Sequence, residues 1–362
     1  MPDVLIDGVA WALGLVHLGL WSVLASNLWY LRRRGRRTPL DAPPSLSVLV
    51  PARNEARNLR RLLPSLLAQD HPNFEVIVYD DASEDATWSV LRSVDDARLT
   101  ALRGEGPPPG WIGKVHALYR ATRVASGECY LFLDADAALD DPAALRRLAE
   151  RFAALPARRV LTGFPRLRGG AALLVSLVPN AILVGLPWPL VRRVPHPSLS
   201  ALNGQCWMIR AEDYHRLEPH AAHPDAVLED VMIGRYLKAN GFVPTLVDVR
   251  REVSVHMYEG LAAAWHGFRK NAYLLLGGTP LRFAGLFASF ALVFVLAPLA
   301  WPGLLLSVYG LKAVTDRHGG FPLWVTALAP LSYLLGCALQ LDSALQHGRG
   351  RVAWKGRRVD AT

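Results

Sequence analysis

Two aspartates, Asp134 and Asp136, stand one residue apart at the end of the apolar run Cys129-Tyr130-Leu131-Phe132-Leu133. The run predicts a strand, and side chains at i and i+2 of an extended segment leave on the same face. Both carboxylates can therefore meet one hard cation and the phosphates it neutralises. Asp-x-Asp alone also describes a solvated turn, so its neighbours decide the reading. Pro51-Ala52-Arg53-Asn54-Glu55 and Asp80-Asp81-Ala82-Ser83-Glu84-Asp85 each follow an earlier strand-like run, and Gly110-Trp111-Ile112-Gly113-Lys114 opens a helical period. A Gly-bounded loop that carries a lysine into a helix suits a diphosphate, because its amides and the helix N-terminus favour anions and the lysine adds a point charge. The pair Glu229-Asp230 precedes the amphipathic stretch 231–237. Acids there also simply complement a helix dipole.

The elements that must position these groups alternate. Residues 45–50, 74–79, 99–102 and 129–133 read as strands; 57–69, 86–94 and 114–125 read as helices, the first with Leu59, Leu62, Leu63, Leu66 and Leu67 on one face. The succession predicts an α/β fold with a mainly parallel, doubly wound sheet whose ligands lie at the carboxyl ends of the strands. Every motif above falls at such an end. No Gly-x-Gly-x-x-Gly follows the first strand, which counts against a dinucleotide-binding enzyme. Residues 203–210 read as a turn and strand, either below an acceptor site or as the sheet edge.

With three motifs in order at successive strand ends, residues 45–275 resemble the family 2 inverting glycosyltransferases of the GT-A fold. The resemblance implies that Asp81 accepts from the uracil imide of a nucleotide-sugar donor, and that Pro51, Ala52, Asn54 and Glu55 line the same pocket. Asn54 and Ser83 also suit helix capping. It implies that Lys114 contacts the donor diphosphate, that Asp136 is the direct ligand of Mg²⁺ or Mn²⁺, and that Asp134 lies nearer the ribose or donor sugar. It also places the catalytic base in an acid pair opening a helix, here Asp230, with Glu229 supporting it or orienting the acceptor. The chemistry asks for such a base, since an acceptor hydroxyl must lose its proton while attacking the anomeric carbon. The metal stabilises the departing diphosphate, and one displacement inverts the centre. His223, His256 and His266 are weaker candidates, because a lone histidine is more often structural.

The chain has 362 residues, 51% hydrophobic and 20% charged, with a formal charge of +9. Apolar segments joined to a basic body predict a membrane enzyme. Cys129, Cys206 and Cys337 are scattered in apolar surroundings and need neither disulfide nor zinc. A crossing takes about 20 apolar residues. Residues 9–31, 283–309 and 321–341 supply three such stretches, the first followed by Arg32-Arg33-Arg34-Gly35-Arg36-Arg37. Charge after rather than before the apolar core marks an anchor, not a cleaved signal. The expected organisation is an anchor with a basic stop (1–37), a cytoplasmic catalytic domain (38–282), two C-terminal spans (283–343) and a basic tail (344–362). The positive-inside rule then puts the catalytic domain on the inner face of the cell membrane and the N-terminus outside, with Lys312, Asp316 and Arg317 in a short outer loop. Residues 171–191 are apolar but broken by Pro179, Pro187 and Pro189, and predict an interfacial segment rather than a span.

His256-Met257-Tyr258-Glu259-Gly260 and 265–271 are similar to the corresponding segment of the membrane glycosyltransferases associated with hopanoid and carotenoid biosynthesis, which implies a polycyclic or polyene lipid acceptor. Glycerolipid, polyprenyl-phosphate and polysaccharide acceptors are the alternatives. The Gln-x-x-Arg-Trp segment of processive synthases is absent and the spans are few, which favours transfer of a single sugar. A nucleotidyltransferase should carry a Gly-rich phosphate loop after its first strand, which is missing, and an inactive scaffold should not keep every acid. The basic clusters flank the spans and fit anionic headgroups better than nucleic acid. No obligate protein partner is indicated.

Overall fold

The computed structural model describes residues 2–34, 39–355 and 357–358; Arg36 and Arg37 of the expected basic stop lie outside the described residues. In chain order the elements are α1 (Pro2–Arg34), β1 (Leu46–Ala52), α2 (Ala56–Leu67), β2 (Phe74–Asp81), α3 (Thr87–Arg92), β3 (Leu99–Gly104), α4 (Gly113–Thr122), β4 (Cys129–Leu133) and β5 (Ala137–Leu139). There follow α5 (Ala144–Ala153), β6 (Arg159–Phe164), β7 (Arg166–Gly169), α6 (Ala172–Val175), α7 (Leu177–Gly185), α8 (Trp188–Arg193), β8 (Cys206–Arg210), α9 (Ala211–Leu217) and α10 (Glu229–Ala239). After β9 (Val243–Asp248) and β10 (Val253–Tyr258) come α11 (Leu261–Leu275), α12 (Pro280–Ala291), α13 (Ala297–Ala300), α14 (Pro302–Gly319), α15 (Leu323–Ala327), α16 (Ala329–Gly348), β11 (Ala353–Trp354) and β12 (Arg357–Arg358). The chain forms two compact units: Leu31–Arg166 with Leu190–His256, and Met1–Tyr30 with Leu167–Pro189 and Met257–Thr362. Helix α11, which lies before residue 282, belongs to the second unit, where it packs with α16.

The first unit is built on a seven-stranded sheet in the order β3-β2-β1-β4-β8-β6-β9. The β1–β2, β2–β3, β1–β4 and β6–β9 pairs are parallel, and β8 runs antiparallel to both β4 and β6. Val48, Leu49 and Val50 are fully buried, as expected of a strand covered on both faces. On α2, Leu59, Leu62, Leu63 and Leu66 are buried while Arg57 and Arg60 are exposed, and the helix packs against β5 and α3. Phe132 and Trp207 are direct partners across β4 and β8, and their rings stack at 4.1 Å. The same core holds Tyr130, Tyr214, Ile233 and Leu237, so it anchors α10. β8 lies inside the sheet, not at its edge: both neighbours use its backbone, and Cys206, Trp207, Met208 and Ile209 are all buried. Strand order reverses between β1 and β4, and crevices at such switch points receive ligands.

The second unit is helical. Among the described residues two helices are long and apolar enough to cross a membrane, Asp7–Arg33 and Pro280–Ala300. The expected span 283–309 stops at Ala300, because Pro302 has no N–H to continue a helix and instead opens α14 at its first turn. Lys312, Asp316 and Arg317 therefore lie within α14 rather than in a loop. Lys312 and Asp316 are buried and paired with each other. The stretch 321–341 divides into α15 and α16, the latter carrying Gln340, Asp342, Gln346 and His347. Residues 171–189 pack inside this unit: Leu183 is fully buried, and the Asn27 side-chain amide donates to the Leu183 and Leu186 carbonyls at 2.8 Å each.

Candidate active site

The loops after β1 and β2 are stitched together. The Arg53 guanidinium donates to the carbonyls of Asp81 and Ala82 at 2.8 Å each and pairs with Glu84 at 3.1 Å. The Asn54 N–H donates to Ser83 Oγ (2.9 Å), the Glu84 N–H to Asn54 Oδ1 (2.8 Å) and the Glu55 N–H to Thr87 Oγ1 (2.7 Å). Asn54 and Ser83 thus hold one another's loops instead of capping helices. Asn54 and Ala82 both have φ 52°. Asparagine tolerates that left-handed region, whereas an alanine there costs about 1–2 kcal/mol, strain that tends to persist at functional sites. Asp81 is 3% exposed at the end of β2. Beside it a cleft of about 440 Å³ is lined by Ala82, Ser83, Arg103, Gly104 and Glu105.

The second half of the site centres on Lys114. Trp111 packs against His116 and Tyr119 (centroids 5.6 and 5.2 Å), and the Ile112 N–H donates to the Pro224 carbonyl at 2.8 Å; together these fix the start of α4. From there the Lys114 ammonium reaches Asp134 at 2.7 Å and Glu229 at 2.8 Å. Burial works against its charge, but the two carboxylates outweigh it and hold the lysine pKa well above the usual range. Residues 134–136 form a turn after β4 instead of the extended continuation expected, with the Ala137 N–H donating to the Asp134 carbonyl at 3.1 Å; Asp134 and Asp136 are partly exposed on either side of the buried Ala135. The His256 N–H donates to the Asp136 carbonyl at 2.9 Å, and β10 pairs with β5, which pins this turn.

Asp230 stands at the N-terminus of α10. Its Oδ1 accepts the Val231 N–H at 2.8 Å and its Oδ2 accepts the Gly204 N–H at 3.2 Å. Burial, then the neighbouring Glu229 carboxylate, push its pKa up to about 6, against the opposing pull of Lys114 and the two N–H bonds. His223 packs edge-on against Tyr236 at 5.2 Å, and burial lowers its pKa. His266 lies in the helical unit.

The structure therefore gathers Lys114, Asp134, Glu229 and Asp230 directly, and sets Asp81, Asn54 and Glu55 in the adjoining stitched loops. Sequence reasoning missed the Lys114 bridge, the Arg53 clamp and the Gly204 amide. The bridge depends on three segments distant in sequence and has no local signature. The Asn203-Gly204 pair did signal a turn. Among the described residues no group of three His, Cys, Asp or Glu side chains could hold a metal. The partly exposed Asp136 carboxylate still fits Mg²⁺ or Mn²⁺ by its chemistry, because these ions take one or two protein oxygens and complete their shell with phosphate and water.

Residues 47–217 match the glycosyl transferase family 2 profile. A 4,4'-diaponeurosporenoate glycosyltransferase of Staphylococcus haemolyticus is 32% identical over 130 residues, 36% of this chain and only 34% of that protein's length. The protein of the same name from Staphylococcus aureus strain bovine RF122 / ET3-1 is 27% identical over 336 residues, 86% of this chain and 88% of its own length. A mannosyltransferase from Pyrobaculum calidifontis, solved with GDP-Man and Mn²⁺, superposes with a TM-score of 0.53 at 22% identity, covering 94% of this chain and 98% of that one. That likeness speaks for the fold. With a glycosyl transferase family 2 domain at residues 47–217, a mainly parallel sheet and acids at the strand ends, the chain is a glycosyltransferase.

Proposed function

We propose that the protein transfers one sugar, with inversion, from a nucleoside-diphosphate sugar to an oxygen of a membrane lipid of the carotenoid or related isoprenoid class. The observation that carries this reading is Asp230, held by two backbone N–H groups within one Lys114-centred cluster with the donor-side Asp134. Asp81, with Pro51, Ala52, Asn54 and Glu55, holds the base, and UDP is the donor nucleotide the resemblance implies. Asp136 would hold Mg²⁺ or Mn²⁺, which when bound would neutralise charge on the leaving diphosphate, with Asp134 nearer the ribose or donor sugar. Lys114 orients Asp134 and Glu229 and adds positive charge beside the diphosphate. Asp230 takes the acceptor proton as the acceptor oxygen bonds to the anomeric carbon and the bond to the diphosphate breaks. The apolar helices Asp7–Arg33 and Pro280–Ala300 support membrane attachment, with the sheet unit on the cytoplasmic face.

The relatives are named for a carboxylate, and this favours a second reading of the acceptor. A carboxylate is already ionised at neutral pH and needs no base. Full-length protein in detergent, given a UDP-sugar and Mn²⁺, separates the two when offered diaponeurosporenoate and the corresponding alcohol. For the alcohol, Asp230→Asn should lower kcat by about two to four orders of magnitude. For the acid it should lower kcat by less than about tenfold. No product from either acceptor with wild-type protein would reject this acceptor class, and an active Asp230→Asn on the alcohol would move the base elsewhere.

A further inference from the structure

The turn Asn203-Gly204-Gln205 touches both halves of the site. The Gln205 carbonyl accepts the Asp134 N–H at 3.3 Å, and the Gly204 N–H donates to Asp230 Oδ2 at 3.2 Å. The turn is itself held from below. Thr162 Oγ1 on β6 accepts the Asn203 N–H at 2.7 Å, the Asn203 amide donates to the Gly163 carbonyl at 3.0 Å, and Asn203 Oδ1 accepts the Gln205 N–H at 3.2 Å. Thr162 is fully buried, so no substrate touches it. Helix α10 is pressed against the same segment: the Ser200 hydroxyl donates to the Gly234 carbonyl at 2.7 Å, and a Cβ on Gly234 would stand 2.9 Å from the Leu202 nitrogen. A Cβ on Gly204 would lie 3.2 Å from Glu229 Oε1 and 3.3 Å from both Asp230 Cβ and Lys114 Nζ. The absent side chain is the point on which three charged groups converge.

We propose that Asn203-Gly204-Gln205 is the positioning element of the transfer reaction, fixing the Asp230 carboxylate against the donor-side acids, with Thr162 setting the turn. The inference rests on the reading of Asp230 as the base. With one oxygen held by Gly204 and the other by Val231, the carboxylate has a single orientation, and loosening the turn releases it without removing any group that binds donor. Misplacement on this scale costs about ten- to a hundredfold in rate.

The test uses full-length protein in detergent, UDP with Mn²⁺ as the donor-site probe in calorimetry, and transfer to the diaponeurosporenoate-derived alcohol followed against pH. Thr162→Val keeps the shape of the buried residue and removes the acceptor for the Asn203 N–H; Gly204→Ala crowds the three charged groups. Each should lower kcat by about ten- to a hundredfold and shift the acid limb of kcat against pH, and Thr162→Val should leave the UDP Kd within about twofold. A purely structural role would lower Tm and leave the limb where it was. If Gly204→Ala does not fold, Thr162→Val decides alone. Folded Thr162→Val with wild-type kcat and acid limb, or with UDP binding lost in step with kcat, would overturn the proposal. Asp230→Asn run beside it separates the two ideas: an active Asp230→Asn rejects the base itself, whereas an inactive Asp230→Asn beside a fully active Thr162→Val rejects only the positioning role.

Discussion

A single ammonium holds together what the sequence shows as separate motifs. Lys114 reaches Asp134 on one side and Glu229 on the other, and so keeps three like charges, Asp134, Glu229 and Asp230, in one cluster. The residues were each legible, since acids at strand ends and a lysine after a glycine announce themselves by type and spacing; their mutual geometry was not, because 20 residues separate Lys114 from Asp134 and a further 95 separate Asp134 from Glu229. Asp230 bears the cost of this crowding. Its pKa is pushed up to about 6 by burial and by Glu229, against about 3.9 in an unfolded chain. The folded state therefore binds this proton more tightly than the unfolded one, and stability falls as pH rises from about 4 through 6. Asp230→Asn removes a group that destabilises the fold at neutral pH. Thermal unfolding in detergent should show the variant melting above wild type at pH 7.5, with the gap closing near pH 4. On the proposed role of Asp230 as base, activity on a hydroxyl acceptor should fall with an acid limb near pH 6 as its carboxylate takes up a proton. A variant that melts below wild type at pH 7.5 would mean that the bonds from Gly204 and Val231 outweigh the burial.

At the scale of elements, the alternation of apolar runs and helical periods located β1, β2, β3, β4 and the helices between them to within a few residues, because those runs are bounded by polar loops. β8 was harder. It is a five-residue strand, Cys206–Arg210, inserted antiparallel between β4 and β6, and nothing in its own residues states which partners it takes. What decides its place is packing: Trp207 stacks flat on Phe132, and Tyr214, Ile233 and Leu237 close over the pair. That aromatic stack shares one core with Leu202, just before the turn at residues 203–205, and with Ile233 and Leu237 of α10, so it ties both to the sheet. Trp207 is 2% exposed. Trp207→Ala should cost about 3–5 kcal/mol in unfolding free energy. Trp207→Phe, which keeps a stacked ring, should recover more than half of that loss. Equal losses in the two variants would show that indole volume, not stacking against Phe132, holds β8.

At the scale of the molecule, the helical unit was the least legible part, and the reason is compositional. Hydropathy registers apolar length, so it located most of Asp7–Arg33 and all but the first turn of Pro280–Ala300, but it reads a buried ion pair inside a helix as a loop. Lys312 and Asp316 are one turn apart on α14, both buried; Lys312 also donates to Ser176 Oγ at 2.8 Å, and Thr326 Oγ1 donates to Asp316 Oδ2 at 2.8 Å. The pair thus links α14 to the start of α7 and to α15. A second polar tie runs parallel to it, with the Asn180 amide donating to the Tyr333 hydroxyl at 3.2 Å. Removing one partner of a buried pair leaves the other charged and unmatched, which costs about 3–5 kcal/mol, whereas replacing both by apolar residues of similar volume is often neutral or stabilising. Lys312→Met alone should therefore lower the unfolding temperature of the detergent-solubilised protein sharply, and Lys312→Met with Asp316→Leu should restore most of it. The proposed donor site lies in the sheet unit, so binding of UDP with Mn²⁺ should persist in any variant that stays folded. If the double variant is no more stable than the single one, the pair contributes through its bonds to Ser176 and Thr326, and the helices are held in register by that network as a whole.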